Sequence, residues 1–162
     1  MLALRYVYVL ALVVWLGGMI VLGALVAPAT FQILQATEPN GGRELAGVLF
    51  GAIIGRFHYV AYASGGLLLV CLAAMAVLGP RPRAFAVRCS IIGAMLAVSM
   101  YSGMVIISRI DAIQQEIGGT VTRLSATDAR RVEFDGLHQL STRLMMLNLA
   151  AAMILLYWEA RE

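Results

Sequence analysis

Four stretches of about 20 consecutive apolar residues constrain this chain more than anything else in it, because that is the length an α-helix needs to cross the ~30 Å hydrocarbon core of a bilayer. They occupy 6–26, 57–78, 89–108 and 137–158 of a 162-residue chain. The first three hold no Arg, Asp or Glu, and the fourth holds one charge, Arg143. Unpaired backbone polar groups are too costly in lipid, so such stretches must be helical. The composition agrees: 13% of residues are charged, against about 25% in soluble domains. The first stretch exceeds the ~7–15 residues of a signal-peptide core. It reads as a retained span, bounded by Arg5 and Pro28. The expectation is an all-α fold: one four-span membrane domain over 1–162, an integral up-down four-helix bundle.

Every one of the 12 basic residues is Arg. The loop after the second stretch carries Arg81 and Arg83, with Arg88 just beyond, and no acid. Arg5 and Arg161 join them on that side, against Glu159 and Glu162. The opposite side holds seven Arg balanced by seven acids. A short acid-free loop close to span ends weighs most in setting orientation, so both termini are expected in the cytoplasm. The net charge of +3 is scattered, which excludes a nucleic-acid-binding face. Cys71 and Cys89 lie in apolar runs, with neither disulfide nor metal spacing.

The helices are expected to run on beyond the membrane on the outer side. Residues 45–55 are apolar and lead into the second span, with Gly47, Gly51 and Gly55 on one face. Small residues at that spacing let helices approach closely, either inside the bundle or as a seam for a dimer or a partner. Ile106, Ile110, Ile113 and Ile117 form a helical stripe that continues the third span, ended by Gly118-Gly119. Ser125-Ala126-Thr127-Asp128 resembles a capping box. A helix from Ala126 to Trp158 would be ~50 Å long. Glu38-Pro39-Asn40-Gly41-Gly42 is the clearest loop.

The residues that could carry chemistry gather at this outer level. His58 and His138 lie near the outer ends of the second and fourth spans, hence at similar depth. Arg56, Arg109, Asp135 and Arg143 are close in depth; Tyr62 and Gly65 follow His58 by one and two turns. Three readings are open. The imidazoles could be axial ligands of haem b, with Arg56, Arg109 or Arg143 on the propionates, Gly65 making room for the macrocycle, and Tyr62 and Tyr101 nearby. They could hold copper or a similar metal, joined by Met104 and Met145, since thioether and imidazole suit that ion. Or they could be structural, each ring bonded to a neighbour such as Asp135, Ser141 or the backbone. Arg143, one turn inside its span, needs a partner, and Asp111 or Asp135 could supply it. No HExxH, GxSxG or Walker signature is present, so no enzyme is expected.

Several stretches taken together resemble a known family. They are Trp15-Leu16-Gly17-Gly18 followed by Ala27-Pro28; Arg56-Phe57-His58; Tyr101-Ser102 with Ile107-Ser108-Arg109-Ile110-Asp111; and Phe134-Asp135-Gly136-Leu137-His138-Gln139-Leu140-Ser141. The set is similar to the bacterial domain-of-unknown-function family 4149, itself similar to the transmembrane protein 205-like family and more distantly to copper-resistance D domains. The resemblance spans Trp15 to about Asn148; Ser108 departs from it, standing where that family usually has Pro. It implies four spans and an inner-membrane location, and no established activity. The copper-resistance relation adds weight to a metal or haem reading by analogy alone. The expected function is therefore a small accessory or binding protein of the inner membrane, with an outer-side His/Arg/Tyr site for haem or a copper-like metal. The alternatives are a purely structural subunit of a larger complex or homo-oligomer, held by the glycine face, and a small-solute permease. The last is disfavoured because four spans rarely enclose a pathway alone.

Overall fold

A computed structural model describes residues 2–39, 41–118 and 121–161, without the side chain of Thr122. Asn40 of the expected loop, Gly119 of the expected helix stop and Glu162 of the termini side lie outside the described residues. Four long helices make up the bundle: α1 (Leu2–Thr37), α2 (Gly42–Leu78), α3 (Phe85–Ile117) and α4 (Ala129–Ala160). A 3₁₀ turn, Val121–Arg123, precedes α4. All four helices are long and apolar enough to cross a membrane. At 1.5 Å per residue they run ~48–56 Å, well beyond the hydrocarbon thickness. The helices pack mainly as α1 on α2, α2 on α3, α3 on α4 and α4 on α1. That is an up-down ring in which α2 and α4 lie on the diagonal. The start of α1, the end of α4 and the loop at Gly79 to Ala84 share one end.

Two expected boundaries are corrected. The first span was expected to end at Pro28, yet α1 continues to Thr37. A proline inside a helix lacks its N–H and crowds the carbonyl four residues back. Here the turn Leu22–Val26 is π-helical, and Ala27 donates to the Leu22 carbonyl five residues back. The wider turn accommodates the proline without breaking the helix. A second π turn, Ser102–Ile106, interrupts α3. The stop at Gly118 is as expected: its φ of 59° is in the left-handed region, where glycine is at ease.

The other correction is the start of α4. The expected capping box puts the helix start at Ala126, whereas α4 begins at Ala129 with Asp128 as N-cap. The Arg130 backbone N–H donates to Oδ1 of Asp128 at 2.9 Å. Ser125 instead belongs to the turn before, its carbonyl accepting from Asp128 N–H at 3.0 Å. The Arg130 side chain, then its backbone N–H, hold the Asp128 carboxyl below the usual range. A depressed folded pKa stabilises the cap above ~3.9, the value of a free Asp, and that contribution disappears as the pH falls through the folded pKa. The Arg130 amide is therefore expected to lose hydrogen-exchange protection in the acid range below about pH 4, and Asp128→Asn, which caps without titrating, should flatten that dependence. Loss of protection at the same pH in both proteins would count against Asp128 as the titrating cap.

The core fills the half of the bundle nearer the termini. Tyr8, Leu12, Trp15 and Met19 of α1 meet Ala61, Leu68, Leu72 and Met75 of α2, Ile92 and Met95 of α3, and Ala152 and Leu155 of α4. Their spacings of three and four place them on one face of each helix. Leu10, Val13, Val70, Val77 and Leu147 point outward, as suits a bundle solvated by lipid, where packing rather than the hydrophobic effect drives association. At the hairpin end Ile106 and Ile113 of the predicted stripe are fully buried. Phe31 and Phe50 meet edge to face at 6.3 Å. A Cβ on Gly42 would lie 1.9 Å from the Leu34 carbonyl oxygen, so the α1–α2 hairpin closes only with glycine there.

Candidate functional site

His58 and Tyr62, one turn apart on α2, both face the second π turn of α3. A Cβ on Gly103 would sit 2.2 Å from Tyr62 Oη and 2.8 Å from His58 Cδ2, so the two rings rest directly on bare backbone. His58 Nδ1 is 2.9 Å from the Ile54 carbonyl oxygen. A carbonyl can only accept, which places the proton on Nδ1 in this geometry. Tyr62 Oη donates to the Ser99 carbonyl at 3.4 Å. The polar contacts continue into α4. Asn148 Nδ2 donates to Ser99 Oγ at 2.9 Å and to the Met95 carbonyl at 3.2 Å. Ser102 and Ser141 hydroxyls are 3.5 Å apart. The result is a ladder of satisfied polar groups from α2 through α3 to α4. Sequence reasoning missed Ser99, Ser102, Asn148 and Gly103 in this role. Their signal was the serine pair at i, i+3 on α3, opposite a serine and an asparagine seven residues apart on α4.

The structure does not bring the other expected residues to the same place. His138 is on an exposed face of α4, its ring stacked on Phe134 at 6.5 Å with the planes 1° apart. Equal depth does not make it a neighbour of His58, because α2 and α4 are diagonal. Tyr101 and Met104 are exposed on α3. Met145 turns towards α1, its Cε 3.5 Å from where a Gly23 Cβ would be. Gly65 adjoins Trp15 and Leu96, with a Cβ position 3.1 Å from Trp15 Cζ3 and 2.9 Å from Leu96 Cδ1; indole, not open space, faces it. Arg56 and Arg143 are exposed. Arg109 forms a two-bond pair with Glu133, at 2.6 and 3.0 Å, with Glu116 3.7 Å away. The expected partners of Arg143 are corrected: among the described residues no carboxylate pairs with it, and Asp135 lies 4.0 Å from Arg131. Arg131 is one turn from Asp135, whereas Arg143 is two turns away. Also among the described residues, no three His, Cys, Asp or Glu side chains come together as a metal site requires.

At the opposite end, where the termini lie, is an ionic cluster that sequence reasoning did not identify. The Glu159 carboxylate of α4 is shared between Arg5 Nε of α1 and Arg88 Nη1 of α3, the latter at 2.9 Å. Arg5 Nη2 also donates to the Glu159 carbonyl at 3.0 Å. Arg88 is 2% and Glu159 6% exposed. Beside them is a cavity of about 260 Å³ lined by Arg83, Ala84, Arg88, Trp158 and Arg161.

The chain belongs to the family described as Domain of unknown function (DUF4149), whose profile matches residues 10–118. The match covers α1 from Leu10 onward, then α2 and α3. It leaves α4 outside, including the stretch from Phe134 to Ser141 that also carries the sequence resemblance. No curated protein and no solved structure matches the chain.

Proposed function

We propose that this family member is a non-enzymatic accessory subunit of a larger assembly in the inner membrane, held to a partner helix by the outer continuation of α2. One observation carries the reading. At Gly47, Gly51 and Gly55 an added Cβ would meet nothing within 4 Å, so this face is not a seam within the chain. Beside these glycines Leu45, Val48 and Leu49 are 50%, 57% and 46% exposed, on a segment that precedes the span at 57–78. Contiguous apolar surface outside the hydrocarbon marks a contact surface, and glycines at i, i+4, i+8 let a partner backbone approach closely. The acid-free loop of Arg81, Arg83 and Arg88 supports cytoplasmic termini, which puts this face on the outer side. The haem or copper reading has less support, because His58 and Tyr62 pack against Gly103 and His138 stacks elsewhere. The permease reading has no pathway residues in its favour.

Gly51→Leu tests the proposal. Because its Cβ meets nothing in the chain, thermal stability of the purified subunit should be unchanged, while the complex extracted from native membranes should shrink to the size of the free subunit. A complex of unaltered size would remove the glycine face as the contact. A Soret band or stoichiometric copper in the purified wild-type protein would overturn the reading and return attention to His58 and His138.

A further inference from the structure

We propose that the exposed face of α4 holds one phospholipid, with the lipid phosphate on Arg143 and Gln139 and an acyl chain along the apolar track below them. Arg143 is the one charge inside the fourth apolar stretch, 137–158, ~9 Å from its start at the helical rise. Its side chain is exposed, and among the described residues it has neither an ion pair nor a hydrogen bond. A charge at that depth must pair or reach the headgroups. Gln139, one turn closer to the start of α4, is exposed and unpartnered among the described residues as well. At roughly 100° per residue, both share a face with Met146, Leu147, Met153 and Ile154, all exposed. Two donor side chains above an unbroken apolar track repeat the polarity of a phospholipid, headgroup first and chain after.

The direction of the side chain favours a lipid over a protein partner. Side chains on a helix tilt towards its N-terminus, and α4 starts at the hairpin end, so Arg143 leans towards the nearer membrane face and away from the midplane. An arginine stem can lie along apolar surface while its guanidinium reaches the headgroups, where the planar fork matches the paired oxygens of a phosphate. A carboxylate on a neighbouring helix would itself have to sit in hydrocarbon at this depth, which is costly. A second copy related by a two-fold axis along the membrane normal would set Arg143 against Arg143, like against like. The other polar groups nearby are occupied. The Thr142 hydroxyl donates to the His138 carbonyl at 3.0 Å, the His138 ring stacks on Phe134, and Asp135, two turns from Arg143, lies 4.0 Å from Arg131. The site is on the helix diagonal to α2 and stands without the glycine face.

Photolabelling of the full-length protein in detergent micelles supplies the test. The probe is phosphatidylglycerol with a diazirine in one acyl chain, at a low mole fraction, and labelled peptides are mapped by mass spectrometry. In the wild type the α4 track from Met146 to Ile154 should be labelled about fivefold more than the equally exposed α2 face at Val60, Leu67 and Val70, the factor one arginine contributes near an anionic headgroup. Arg143→Leu, whose new side chain suits the apolar face it joins, should bring the two faces level, and Gln139→Leu should reduce the excess by less. Arg56→Leu, which removes an exposed arginine at the same end of α2, should leave the α4 excess as it is. A diacylglycerol with the same diazirine chain and no phosphate should label both faces alike. Equal labelling of the two faces in the wild type would overturn the proposal and leave a carboxylate of another chain as the counter-charge of Arg143. An α4 excess that survives in Arg143→Leu, or that diacylglycerol reproduces, would overturn it too.

Discussion

Glu159→Ala is expected to destabilise the bundle by about 3–5 kcal/mol, the cost of breaking a buried ion pair from one side. The magnitude comes from what is left behind. Arg88 is 2% exposed, so removing the carboxylate takes a counter-charge away from a buried guanidinium and loosens the packing of α3 on α4 or draws water into it. Arg5→Gln should cost much less. Its side chain is 37% exposed, which places its share nearer the ~0–1 kcal/mol of surface pairs, and Glu159 would keep Arg88. The decisive comparison is Arg88→Met/Glu159→Leu. If the loss in Glu159→Ala comes from the buried charge that has lost this counter-ion, removing both charges should recover most of it, a strong departure from additivity. Reversible unfolding in mixed micelles measures all four proteins. A Glu159→Ala protein as stable as the wild type would mean that the buried Arg88 does not depend on this carboxylate.

The same cluster shows what a sequence of this kind does and does not reveal. Arg5 immediately precedes the first apolar stretch, Arg88 the third, and Glu159 follows the fourth. Their common depth was therefore legible, and it was used to set orientation. What apolar length cannot supply is azimuth, the direction in which each residue points around its helix, and only azimuth turns equal depth into an ion pair. His58 and His138 are the converse case. Their similar depth was inferred from the span ends alone; packing order puts α2 and α4 on the diagonal, and His138 stacks on Phe134 instead. The four spans and the buried Ile106 and Ile113 were readable because length and period are local properties. Pro28 misled because the π turn that accommodates it leaves no mark in composition. Asp128 misled because a carboxylate three residues after Ser125 fits either as the acid of a capping box or as the cap itself. Gly47, Gly51 and Gly55 stood out by spacing, yet the glycines that close the bundle are Gly18 against Phe57, Gly65 against Trp15, and Gly103 against Tyr62 and His58. Each of those is needed because of a large ring on another helix, a reason that lies outside its own segment.

Gly103→Ala should destabilise the protein by about 1–3 kcal/mol, the usual cost of overpacking a filled interior, and Gly103→Leu by more. The new methyl would lie 2.2 Å from Tyr62 Oη and 2.8 Å from His58 Cδ2, both far inside contact distance. Tyr62 could swing its hydroxyl aside only by giving up the Ser99 carbonyl at 3.4 Å. His58 could rotate only by breaking its 2.9 Å bond to the Ile54 carbonyl. Neither neighbour yields freely, and the π turn fixes the backbone behind the methyl. Tyr62→Phe in the Gly103→Ala background should recover part of the loss, because it deletes the atom at 2.2 Å and leaves the one at 2.8 Å. His58→Ala in the same background relieves the second clash, and the triple variant should approach the stability of His58→Ala/Tyr62→Phe with Gly103 intact. Coupling of this kind is what a double-mutant cycle isolates. It also separates two roles for His58. If the ring serves only to pack α2 on α3, Gly103→Ala changes stability and nothing else. If its Nε2 ligates a cofactor, the displaced ring would alter an absorption band, and the purified protein would show that band before any substitution.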